Sequence, residues 1–157
     1  MTQMKCLRIY LDNCCFNRPY DDQSSLPVYL ETQAKLHIQQ QVRNQEIELV
    51  WSFILTAENE ANPDHDIRDK IADWMDLATI YVRYDLEIET YAANLMEQNG
   101  VDAKDALHVA CAVRAGCDFL VTTDKKLIRK TNRIGEMRVV NPVDFISDYV
   151  EHIENEK

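Results

Sequence analysis

The chain is short of positive charge: 17 lysines and arginines stand against 27 aspartates and glutamates, a formal net charge of −10. That balance is the reverse of the basic footprint of a protein that coats duplexes, and it excludes sequence-independent DNA binding through overall charge. Phosphodiester chemistry with a divalent cation stays open, since the cation neutralises the site locally and only a small basic patch need meet the substrate. Long apolar runs are missing too. The longest, residues 49–55, is broken by Ser52 and is far too short to cross a bilayer, so no membrane anchor is expected. The five cysteines, Cys6, Cys14, Cys15, Cys111 and Cys117, contain no CxxC pair, and no secretory leader is read before them, which points to a reducing cytoplasm. Cys14 and Cys15 lack the spacing of a zinc knuckle and are assigned to core packing. No internal repeat, linker or low-complexity stretch interrupts the 157 residues, which suit one domain over 1–153 with a frayed tail at 154–157.

What is present is an alternation of short apolar runs and amphipathic stretches. Residues 5–12 read as a first strand, 13–25 as a loop, and Ser24 or Ser25 as the cap of a helix over 26–45. On that helix Val28, Leu36 and Val42, with Tyr29 and Ile38, form the apolar face, leaving glutamines and charges to water. Residues 48–54 are continuously apolar, as expected of a parallel strand covered on both faces. Thr56 then caps a helix with Glu58 in its first turn, Pro63 ends it, and Asp64 or Asp66 starts another through Ile67, Ile71, Trp74, Met75 and Ala78. A strand follows at 79–83, a helix at 86–98 stopped by Asn99 and Gly100, and a strongly patterned helix at 102–115. Residues 118–123 and 137–140 complete the strands, with helices at 125–132 and 143–153. Trp51, Phe53, Trp74 and Leu77 fall where a core is expected. Strands alternating with helices imply a parallel α/β sheet.

Four carboxylates stand at chosen points of this pattern. Asp12 and Asp124 close apolar strands, where open α/β sheets bind ligands, while Glu58 and Asp105 lie at helix starts. Hard cations prefer oxygen, and phosphodiester cleavage needs several carboxylates with room for water and phosphate. The strings IYLDN at 9–13, TAE at 56–58, KDALHVA at 104–110 and LVTTD at 120–124, in that order and on a βα alternation, resemble a PIN domain over nearly the whole chain. The resemblance implies a three-layer α/β/α sandwich around a central parallel sheet of four to five strands. It also implies a metal-dependent endoribonuclease that leaves 5′-phosphate and 3′-hydroxyl ends. Asp12, Glu58, Asp105 and Asp124 match the family's catalytic acids, with Asp12, Asp105 and Asp124 as ligands of Mg²⁺ or Mn²⁺. Thr122 matches its hydroxyl position before the last acid and Asn13 replaces a Thr or Ser, and both are expected among the substrate-binding residues. Lys126 stands where many relatives carry a further acid, which bears on a second cation, and Asp102 reads as a helix cap rather than a substitute ligand.

The segment 125–133 places five basic residues in nine positions directly after Asp124, so Lys125, Lys126 and Arg129, together with Arg18, are candidates for RNA phosphate contact. His108, three residues after Asp105, is read as a satisfied or surface histidine and left out of the site. A lone compact domain of this type resembles the toxin of a type II toxin–antitoxin pair, with an antitoxin and a second copy of the chain as expected partners. The competing reading is a catalytically silent PIN-like module that binds RNA or protein. A phospho-accepting receiver domain is disfavoured, because it needs an Asp at the end of the third strand, where Tyr81 to Tyr84 stand.

Overall fold

The computed structural model describes residues 6–155, with side chains as far as Tyr149. Lys5, expected to open the first strand, and residues 156–157 of the expected tail lie outside the described residues. Strand β1 (Leu7–Leu11) is the hub, pairing in parallel with β2 (Ile47–Ser52) on one side and β4 (Phe119–Val121) on the other. With β3 (Ile80–Val82), β5 (Arg133–Ile134) and β6 (Met137–Val140), the sheet runs β3-β2-β1-β4-β6-β5 and is parallel except for the β5–β6 pair. Six strands are found where four to five were expected. The sixth is a two-residue edge strand formed as the chain turns back through Gly135, whose φ of 59° lies in the left-handed region that favours glycine.

Helices α1 (Asn13–Asn17), α2 (Leu26–Arg43), α3 (Phe53–Glu60), α4 (His65–Ala72), α5 (Leu86–Asn99), α6 (Ala103–Arg114), α7 (Lys125–Thr131) and α8 (Pro142–Asn155) cover the sheet. Helices α1 to α4 lie in the connections that step from β1 out to β3, and α5 and α6 lie in the one that returns to β4. Packing of α2 on α8 and of α5 on α6 forms the two outer layers. Strand alternation sorts the core accordingly. Tyr10 and Ser52 turn toward α6, whereas Trp51 turns to the opposite face, where its ring meets Phe16 edge-on at 5.3 Å.

Several local expectations need correction. Residues 13–25 are not all loop: Asp12 accepts a hydrogen bond from the Asn13 N–H, which starts α1, and burial of Cys15 and Phe16 holds it. A 3₁₀ turn over Arg18–Tyr20 follows. Strand β2 ends earlier than expected because the Ser52 hydroxyl, not Thr56, caps α3 by accepting from the Leu55 N–H. Glu58 therefore sits in the second turn, and the Thr56 hydroxyl takes the Trp51 indole N–H at 2.8 Å instead. The helix expected to run to Ala78 breaks after Ala72 into a 3₁₀ segment, Asp73–Leu77, which buries Trp74 but leaves Leu77 exposed. On α2 the expected face is rotated: Tyr29 and Leu36 are exposed, while Glu31, Lys35 and Gln39 are buried beside Ile38 and Val42.

Candidate active site

The strand order reverses between β1 and β4, because the chain moves outward from β1 to β3 and then returns to β4. Such a switch point opens a crevice beyond the strands' C-terminal ends. Asp12 follows β1 and Thr122 follows β4, and the two are joined by the Thr122 hydroxyl donating to Asp12 Oδ2 at 2.8 Å. Oδ1 of Asp12 accepts from the Asn13 N–H at 2.7 Å, so this buried carboxylate is held from both sides. Thr122 Oγ1 also accepts from the Asp124 N–H at 3.1 Å, and Asp124 caps α7 by accepting from the N–H groups of Lys126 and Leu127.

The opposite wall comes from α3 and α6. Asp102 caps α6 through the Asp105 N–H at 2.9 Å, as expected, and this fixes the first turn that carries Asp105. One turn on, His108 is 1% exposed, which rules out the surface position and leaves the satisfied one, although its partners place it in the site from which it was left out. Its Nε2 is hydrogen-bonded to Glu58 and lies 3.6 Å from Asp12 Oδ1. Its Nδ1 meets the Tyr10 hydroxyl at 2.6 Å, and that hydroxyl meets Ser52 Oγ at 2.6 Å. A buried chain of Ser52, Tyr10 and His108 therefore backs Glu58. The sequence signal was the i, i+3 spacing of Asp105 and His108, which puts both on one face of α6.

Electrostatics join the two walls. Burial, with Asp102, Asp12 and Asp124 nearby, pushes the Asp105 carboxyl up to about 6, offset in part by His108. Burial alone would depress the His108 pKa, but its bond to Glu58 and the charges of Asp12, Glu58 and Asp105 hold it above the usual imidazole range. Asp12, Glu58 and His108 offer ligand atoms within 4.8 Å of one another. Asp105 and Asp124 line an adjoining cleft with Lys126 and Lys130. The donor set is rich in carboxylate oxygen and carries surplus negative charge, which fits a hard divalent cation. Among the described residues, Asp12, Glu58 and His108 bring ligand atoms close enough to share one ion, while Asp105 and Asp124 stand in the adjoining cleft and are not part of that cluster.

Among the remaining candidates, Lys125, Lys126 and Arg129 are exposed on α7, beside the acids. Asn13 sits at the start of α1, where its carbonyl oxygen accepts from Asn17 and its side-chain oxygen is buried without a described partner. Arg18 is placed differently: its guanidinium is committed to Glu31 and Asp21, each at 3.0 Å. Lys104, not singled out from sequence, lies 3.8 Å from Glu58. All five cysteines are free thiols. Among the described residues, no helix is long and apolar enough to cross a membrane.

The PIN domain family matches residues 9–133 of the chain. No curated protein matches it. Among solved structures, it is similar to VapBC2 from Rickettsia felis bound to a promoter DNA fragment, at 17% identity over 86% of this chain and 98% of that one, with a TM-score of 0.54. It is also similar to FitAB bound to the IR36 DNA fragment, at 15% identity over 86% and 95%, TM-score 0.56. A third likeness is to PAE2754 from Pyrobaculum aerophilum, at 13% identity over 94% and 91%, TM-score 0.52. At these identities the likeness is one of fold.

Proposed function

Because this chain belongs to the PIN domain family, whose members are generally nucleases, we propose that its acidic crevice hydrolyses RNA phosphodiester bonds with Mg²⁺ or Mn²⁺. The observation that supports this reading is a carboxylate-rich switch point, where Asp12 and Glu58 offer ligand atoms within 4.8 Å of one another and Asp12 and Asp124 lie near enough for their charges to raise the Asp105 pKa. When bound, such a cation supplies polarisation of a phosphate oxygen and a nucleophilic water at neutral pH. The chain's own residues supply placement. Asn13 and Thr122 fix Asp12, and the Ser52, Tyr10 and His108 chain fixes Glu58. Lys125, Lys126 and Arg129 meet the phosphates flanking the scissile bond, and Lys130 shares that cleft. The products carry 5′-phosphate and 3′-hydroxyl ends.

The biological role this reading favours is the toxin of a type II toxin–antitoxin pair acting in a reducing cytoplasm. Its support is a PIN domain with a fold like those of the VapBC2 and FitAB complexes. The partners are an antitoxin and a second copy of the chain. Exposed Tyr29, Leu30 and Leu36 on α2, or Leu86, Tyr91 and Met96 on α5, offer apolar patches to them. The alternative, a silent module that binds RNA or protein, draws on Lys126, a cation standing in the acidic cleft itself.

Cleavage of a structured RNA panel with Mn²⁺ separates the two. The wild type is expected to cut, and Asp12→Asn and Asp105→Asn are expected to fall to background while keeping wild-type circular dichroism. Wild-type protein that binds RNA but cuts nothing with any divalent cation would establish the silent module.

A further inference from the structure

A second cleft, of about 260 Å³, lies between α2 and the α4–3₁₀ segment, away from the four acids, and Lys35, Arg43, Lys70, Tyr20, Asp73 and Trp74 line it. Lys35 is 3% exposed, yet among the described residues its ammonium has neither a hydrogen-bond acceptor nor a carboxylate partner. It rests 5.2 Å from the Trp74 ring centre and 5.6 Å from that of Phe16, and Arg43 lies 5.0 Å from the same Trp74 ring. Aromatic faces contribute roughly 0.5–2 kcal/mol to a cation, against several kcal/mol for removing an ammonium from water. The rings therefore offset only part of that cost, and the ammonium keeps contact with the water of the cleft. Burial, reinforced by Arg43 and opposed by Cys15, pulls its pKa down to about 7.

Lys35, Gln39 and Arg43 recur every four residues, so one stripe of α2 faces the cleft, with the Gln39 amide also lining it. None of Lys35, Arg43 and Lys70 forms an ion pair among the described residues, although the chain has 27 acids. Asp73 is the one carboxylate in the lining. Arg43 and Lys70 less Asp73 leave one fixed positive charge, and a dianion beside Lys35 draws that lysine to its protonated form for a second, which together match the charge of a phosphomonoester near neutrality. Ammonium and guanidinium donors together are also the usual partners of phosphate oxygens.

We propose that this cleft binds the terminal phosphate of a phosphomonoester, with Lys35 at its floor and Arg43 and Lys70 at its mouth. The phosphate belongs either to a free small metabolite or nucleotide, or to the 5′ end of an RNA. The site stands apart from the acidic crevice and does not depend on the nuclease reading.

The test is calorimetric titration of the full chain, in EDTA, with phenyl phosphate, AMP, and a short oligoribonucleotide with and without a 5′-phosphate. Phenyl phosphate is expected to bind the wild type and to lose at least ~10-fold in affinity in both Lys35→Met and Arg43→Gln. Lys35→Met keeps the apolar stem, so its melting temperature is expected to equal or exceed that of the wild type while the stabilisation by phenyl phosphate disappears. Binding of the 5′-phosphorylated oligonucleotide but not its 5′-hydroxyl form identifies an RNA end, and binding of AMP alone identifies a free ligand. Failure of every phosphomonoester to bind the wild type at millimolar concentration would overturn the proposal, as would unchanged affinity in folded Lys35→Met.

Discussion

His108 makes contacts on both sides of its ring, and each side has a different consequence. Toward the solvent it holds Glu58 and approaches Asp12; toward the core it meets Tyr10. Tyr10→Phe removes one hydroxyl and leaves the packed ring, a change expected to cost about 1–2 kcal/mol of stability. If the chain positions Glu58, the same substitution lowers kcat by roughly 3- to 10-fold with KM nearly constant, because the loss is felt in the transition state. Steady-state kinetics with Mn²⁺ check this, and a variant with wild-type kcat would remove the positioning role. Lys35 provides a pH signature. An unfolded chain keeps this lysine protonated up to its ordinary value of 10.5, whereas the folded site releases the proton near 7 because of burial, with Cys15 favouring its charge and Arg43 opposing it, and Lys70 and Asp73 are the other charged groups of the cleft. Between those values the unfolded state binds the extra proton, so this group's contribution to stability rises with pH. Lys35→Met is accordingly expected to stabilise the metal-free protein most at pH 7 and below, on the order of 2 kcal/mol, with the gain shrinking toward pH 9 in urea denaturation.

Helix α6 shows what was legible at the scale of an element. Its cap at Asp102, its first-turn Asp105 and its stop at Gly116 follow from cap chemistry and a 3.6-residue apolar period, and all were readable. Asp102→Ala removes the bond to the Asp105 N–H and is expected to cost about 1 kcal/mol, measured by chemical denaturation. The loosened turn also displaces Asp105, so cation affinity is expected to fall more than the stability change alone explains. The role of His108 was not readable, because burial of a helical histidine depends on Tyr10 and Ser52 from two strands far off in sequence. The start of α3 was missed for a related reason. Ser52 and Thr56 are both good caps, and the choice between them was made by Trp51, whose indole N–H claims the Thr56 hydroxyl. The face of α2 was rotated by ion pairing that sequence does not show: Glu31 is drawn inward by Arg18 and Asn141. On α7, Lys126→Gln combined with Arg129→Gln is expected to raise KM for RNA and to flatten its salt dependence, with kcat largely kept, since these side chains meet phosphates and not the reacting bond.

For the molecule as a whole, fold class followed from alternation, but strand order did not, and strand order makes the site. The sheet reverses at β1, which alone brings Asp12, from the chain's first strand, beside Thr122 and Asp124, 110 and more residues later. Against a whole-chain charge of −10, two basic groups have distinct places: the α7 lysines border the cleft of Asp105 and Asp124, while Lys35, Arg43 and Lys70 line a second cleft. Manganese titration by calorimetry, on the wild type and on Asp12→Asn, Glu58→Gln, Asp105→Asn and Asp124→Asn, tests this convergence most directly. One shared site predicts that at least three of the four folded variants lose Mn²⁺ binding by roughly 10-fold or more. Wild-type titration curves in all four would contradict it.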